Sequence, residues 1–257
     1  MTFELLKNRF GKQVVSNKTP SVRMALDTAY ADMSRRQNGH TPEVKDACID
    51  YLVEIFSTPL QIDDFDEWHR ALSMELIDRW NRVVADFGTV GRAQKVLNMA
   101  FKYLSCIPNN HIAVLPLCHM TLDSYTLEWY EKVVKPWAKA QGRKVGRKVS
   151  AWSKINSYDD EYLPIQHNIR AYLAAGSTYS IHIGGTPTAP IPLPVVPVDA
   201  EFIIWEGQII EKRYNDLIKL LENYAKENSE TLHEQGYDTW LIGTMFEDYL
   251  KKYLTHF

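Results

Sequence analysis

The sequence predicts a mostly α-helical protein: one compact unit over residues 1–257, made of two interleaved helical lobes and crossed by a Pro-rich loop. Apolar residues recur at three- and four-residue spacing through most of the chain, as in helices with one buried face. Prolines cluster in "GGTPTAPIPLPVVPVD" (184–199), where they forbid a helix and favour an extended strap across the surface. There is no internal repeat and no Gly/Ser linker, and a chain of 257 residues that is 45% hydrophobic can bury a sizeable core.

In chain order, "SVRMALDTAYADMSR" (21–35) and "EVKDACIDYLVEIFS" (43–57) read as helices capped by Ser21 and Thr41. In residues 63–88 acidic side chains crowd the start, Leu72, Leu76 and Trp80 recur at helical spacing, and Gly88 supplies the stop. From Arg92 to Leu104, Ala93, Val96, Leu97, Ala100, Phe101 and Leu104 form an apolar face, with Lys95, Asn98 and Lys102 as the opposing polar stripe. Irregular chain over 106–123 gives way to helices over 124–141 and 162–176. "AEFIIW" (200–205) fits a strand or a helix start, and 208–232 and 239–254 are helical by period.

Composition narrows the function classes. No apolar run reaches the roughly 18 residues of a spanning helix, and the N-terminus lacks the apolar core of a signal peptide, so a cytoplasmic monomer without a membrane partner is expected. Three scattered cysteines make no disulfide framework, and Cys106, His111, Cys118 and His119 lack the paired spacing of a zinc site. No serine elbow, P-loop or dinucleotide fingerprint occurs, and neither cofactor nor metal is expected.

The net charge is −3, yet residues 132–154 carry Lys132, Lys135, Lys139, Arg143, Lys144, Arg147, Lys148 and Lys154 and no acid. Trp137 and Trp152 are interleaved with them, and Gly142 and Gly146 would let backbone amides approach a phosphodiester. The segment is either a solvated basic face or a phosphate-binding surface. Lys95 and Lys102, two helical turns apart, either snorkel at the surface or supply a nucleophile or charge partner, with Asp123 as the natural counterpart. Asp123 also precedes a helix, where its ordinary role is an N-cap.

Together, "FGTVGRAQKVLNMAFKYL" (87–104) and "CHMTLDSYTLEWY" (118–130) resemble the helix-hairpin-helix DNA glycosylases, especially the archaeal 8-oxoguanine branch and its bacterial relatives. The resemblance covers about residues 86–130, with 200–205 a weaker family-like segment. In that family the usual hairpin has a lysine two residues after its last glycine, whereas here Arg92 and Ala93 follow Gly91 and the lysine is Lys95.

The resemblance implies a base-flipping enzyme that hydrolyses an N-glycosidic bond of DNA, with Asp123 and Lys95 as catalytic residues. Phage-defence relatives that remove glucosylated hydroxymethylcytosine suggest that substrate, with 8-oxoguanine repair or noncatalytic nucleic-acid binding as alternatives. DNA would be held by Gly88, Gly91, Arg92 and Lys102 around the hairpin and by Lys139, Arg143, Lys144, Arg147 and Lys148 beyond it. Gln94, Asn98, His119 and the aromatic side chains near Trp129 and Tyr130 would line the base pocket.

Overall fold

The computed structural model describes residues 3–15, 19–35, 37–107 and 112–227. The expected helix over 239–254, the end of the one over 208–232, and His111 lie outside the described residues. The protein is mostly helical, and its chain divides into two compact units. Among the described residues, the larger holds 3–177 and 193–203, and the smaller holds 178–192 and 204–227.

In the larger unit, α1 (Phe3–Val15), which the sequence reading did not anticipate, precedes α2 (Val22–Ser34), α3 (Pro42–Phe56), α4 (Phe65–Val83) and α5 (Val90–Leu104). Ser21, Thr41 and Asp64 cap α2, α3 and α4 by accepting the N–H of Met24, Val44 and Glu67, each cap contributing about 1 kcal/mol. α2 and α4 pack on α5, and α3 on both, around a core that includes Leu26, Tyr30, Leu52, Phe56, Leu76, Trp80 and Phe101.

Two expectations change here. α4 ends at Val83, and Gly88 instead lies where a Cβ would come within 2.6 Å of the Ile77 carbonyl oxygen. The polar stripe of α5 is not a surface: Asn98 and Lys102 are as buried as the apolar face, and Arg92 and Lys95 are partly exposed.

A continuous helical run follows as α6 (Ser124–Trp129), a π turn (Tyr130–Val134) and α7 (Lys135–Ala140); a second π turn (Tyr158–Tyr162) leads into α8 (Leu163–Ala174). Each π turn precedes a proline, Pro136 or Pro164. A proline ring clashes with the carbonyl four residues earlier, here Lys132 or Asp160, and the wider turn moves that carbonyl aside.

In the smaller unit the Pro-rich segment is no simple strap. β1 (Thr178–Tyr179) pairs antiparallel with β4 (Ile191–Pro192), and nested inside it β2 (His182–Ile183) pairs with β3 (Thr186–Pro187). Pro197 then opens α9 (Pro197–Glu227), a first-turn position where a missing N–H is harmless, so "AEFIIW" is helical. Within this unit Glu211 accepts the His182 N–H at 2.7 Å, and Gly207 leaves room for the Tyr179 ring.

Candidate active site

The polar residues of α5 meet a buried segment, Met120–Leu122, that is neither helix nor strand. Side chains supply its hydrogen bonds instead. Gln94 accepts the Leu122 N–H at 3.1 Å and donates to its carbonyl at 2.8 Å; Gln166 does the same for Met120 at 3.1 and 2.8 Å, with Asn98 adding a second bond to that carbonyl. Glu201 accepts the Thr121 N–H at 2.8 Å, and Thr126 Oγ1 donates to the Thr121 carbonyl. Every backbone polar group of three buried residues is thereby satisfied from α5, α6, α8 and α9, as burial requires.

This segment delivers Asp123. Its Oδ1 accepts the N–H groups of Tyr125 and Thr126 at 2.9 and 3.0 Å, and Thr126 Oγ1 takes the Asp123 N–H in return, a complete capping box. The cap anticipated from the sequence is present, and the carboxylate also acts on the lysine expected beside it.

Lys95 lies on α5 with its ammonium 4.2 Å from the centre of the Trp152 ring. Burial pushes its pKa down, against the attraction of Asp123 first and then of Asp32 and Glu201. Gly91 makes the covering possible: a Cβ there would sit 1.8 Å from the Trp152 carbonyl oxygen, so only glycine lets residues 152–155 close over the start of α5. Gly91 N–H donates to the Ile155 carbonyl at 2.9 Å and Thr89 Oγ1 to that of Ser153 at 3.1 Å, pinning the cover on both sides.

In comparisons with protein-family models, curated proteins and solved structures, no match was found. The chemistry of the site therefore rests on its own geometry.

Several residues expected to touch DNA have internal partners. Lys102 is buried with its ammonium 2.7 Å from Glu201, out of reach of a phosphate. Gly88 N–H donates to Asn81, Gly91 N–H is spent on Ile155, and Arg92 is drawn back onto the Phe87 carbonyl and Gln37. Gly146 lies against the backbone of Asp160 and Glu161, which leaves no room for a phosphodiester at its Cα face. Lys132 and Lys135 pair with Glu128 and Glu131, acids just upstream of the basic segment. Lys139, Lys144, Arg147 and Lys148 are exposed and, among the described residues, without an ion pair.

The proposed base-pocket residues are interior as well. Gln94, Asn98 and His119 are fully buried, and so are Trp129 and Tyr130. The two N–H groups of Asn98 are shared among Gln94 Oε1, the Met120 carbonyl and Tyr162 Oη, and its Oδ1 accepts from His69 at 3.1 Å. His119 bonds Tyr162 through Nδ1 at 2.9 Å and Asp66 through Nε2 at 2.7 Å. Asp66 also receives His167 at 2.9 Å and Arg170. Asp66, His69, Tyr162 and Gln166 lie in segments that read as ordinary amphipathic helices, and Glu201 in one that fits a strand or a helix start, so none of them stands out in the sequence. Among the described residues no group of three His, Cys, Asp or Glu side chains is placed to hold a metal ion.

This network makes stability depend on pH. Burial lowers the His119 pKa from 6.5 to about 4, and burial together with the charge of His119 lowers that of His69. Burial alone would raise the Asp66 carboxyl, but hydrogen bonds from His119, His167 and Arg170 outweigh it and hold the carboxyl below its usual range. Between about 6.5 and about 4 the unfolded chain binds a proton at His119 that the folded protein refuses, so stability is complete above that window and falls as pH drops through it. His69 acts in the same sense, and Asp66 extends the loss to more acid pH. A loss of roughly 3 kcal/mol is expected between about pH 7 and about pH 4. Equal urea midpoints at those two values would contradict it.

Proposed function

We propose that the protein is a DNA N-glycosylase of the helix-hairpin-helix type, acting on a modified base flipped from the helix. The observation that carries this reading is the placement of Lys95 under the Trp152 ring, where burial lowers its pKa and Asp123 is foremost among the carboxylates whose charge acts on it. α4, the turn over 84–89 and α5 stand as the hairpin of that architecture, and exposed Lys139, Lys144, Arg147 and Lys148 supply the contacts to the DNA backbone.

Glycosidic cleavage builds positive charge on the sugar, and a fixed carboxylate stabilises that transition state more than the ground state. Asp123 has this role. The lowered pKa of Lys95 favours the glycosylase/lyase form of the reaction over simple hydrolysis. The neutral amine bonds to C1′ as the bond from C1′ to the base nitrogen breaks; the base leaves with that electron pair, and a proton passes from the amine toward Asp123. Ring opening yields a Schiff base, from which the 3′ phosphate is eliminated. The substrate assigned on resemblance is glucosylated hydroxymethylcytosine, with 8-oxoguanine second.

The test incubates the protein with DNA containing either base or with unmodified DNA, and reads abasic sites by alkali cleavage. Asp123→Asn keeps a capping side chain, so it is expected to fold and to lose base release by on the order of 10³-fold. DNA binding with no release from any substrate would overturn the reading in favour of a noncatalytic binder.

A further inference from the structure

A concavity of about 440 Å³ lies in the larger unit, lined by Arg143, Lys144, Asp159, Leu163, Pro164, His167 and Asn168. Its cations are held in place. Asn168, fully buried, accepts from Arg143 Nε at 2.9 Å and donates to the Lys144 carbonyl at 3.0 Å, bracing both residues from below. A second guanidinium nitrogen of Arg143 donates to the His167 carbonyl at 3.4 Å, while Nη1 has no protein partner among the described residues. His167 is half-exposed, and its Nε2 is fixed on Asp66 at 2.9 Å, so the rest of the ring lines the cleft.

The charges do not cancel. Asp159, the one acid in the lining, is already paired with Arg70, and Asp66 is matched by Arg170. Lys144 has no carboxylate within ion-pair reach among the described residues. Leu163 and Pro164 add a small apolar surface beside the cations, and the volume falls within the range of sites for small organic ligands.

We propose that this cleft is a phosphate-binding site for a nucleotide-sized ligand. Arg143 and Lys144 hold the phosphate, and the sugar or base lies on Leu163, Pro164 and the His167 ring. The phosphate belongs either to a free nucleotide or to a DNA strand. The proposal does not rest on the glycosylase reading, since phosphate binding is measured without any modified base.

Calorimetric titration of the full chain with a nucleoside 5′-monophosphate is expected to give saturable binding, and the matching nucleoside none. Lys144→Gln and Arg143→Gln, both at exposed residues, are expected to weaken binding about tenfold each, the loss of one charge-assisted contact. Unmodified duplex DNA without terminal phosphates, added as competitor, separates the sources: displacement of the nucleotide assigns the site to backbone phosphate, and no displacement to a free nucleotide. Equal binding of nucleotide and nucleoside, no binding of either, or unchanged affinity in both variants would overturn the proposal.

Discussion

Borohydride is expected to trap a covalent adduct between the protein and substrate DNA, and Lys95→Gln to abolish the adduct and lower strand cleavage by on the order of 10⁴-fold. A lysine attacks only as the free amine. At its ordinary pKa of 10.5 hardly any amine is present near neutrality, and burial against α5 and the Trp152 ring raises that fraction. The nearby carboxylates of Asp123, Asp32 and Glu201 limit the effect, so the shift is the balance of desolvation over attraction. The rate of adduct formation is expected to rise with pH through a midpoint below 10.5. Trp152→Ala admits water, returns the lysine toward its usual pKa and moves that midpoint up. Undiminished trapping in Lys95→Gln would assign the nucleophile elsewhere.

Glu201→Ala is expected to destabilise the protein by about 3–5 kcal/mol, because it breaks a buried ion pair by removing the carboxylate 2.7 Å from the Lys102 ammonium. The same carboxylate holds the Thr121 N–H, so the variant also frees a backbone donor two residues before Asp123. A double variant, Lys102→Met with Glu201→Leu, removes both charges and recovers most of the loss, but a deficit of about 1–3 kcal/mol remains for the unsatisfied Thr121 N–H. Urea unfolding of the two proteins beside the wild type separates these contributions. A single variant within about 0.5 kcal/mol of wild type would show that the pair does not hold the segment.

Local chemistry made several features legible in the sequence alone. Ser21, Thr41 and Asp123 cap helices because a short polar side chain satisfies the first orphan N–H groups, which needs nothing beyond the neighbouring residues. The helices over 21–35, 43–57, 124–141 and 162–176 follow from the period of their apolar residues. Among the described residues no helix is long and apolar enough to cross a membrane, as the lack of a long apolar run predicts.

Burial from several sides was decided by the tertiary structure. Period identifies one face of a helix, but Met120–Leu122, Tyr162 and Glu201 meet the polar side of α5, so of the expected stripe Asn98 and Lys102 became interior bonding groups while Lys95 stayed partly exposed. Gly91 and Gly88 are glycines because other backbone passes against them, a requirement set by residues far along the chain or on the preceding helix. The proline-rich segment differs for a similar reason: Pro187 and Pro192 sit in short strands, while Pro197 starts a helix, since the fixed φ of proline suits either setting and the surrounding chain selects between them. Sequence by itself determined where several helices begin and which residue types could carry chemistry; contacts between distant segments determined which of those residues stay near the surface and which hold Met120–Leu122 in place, because desolvation depends on everything that surrounds a group.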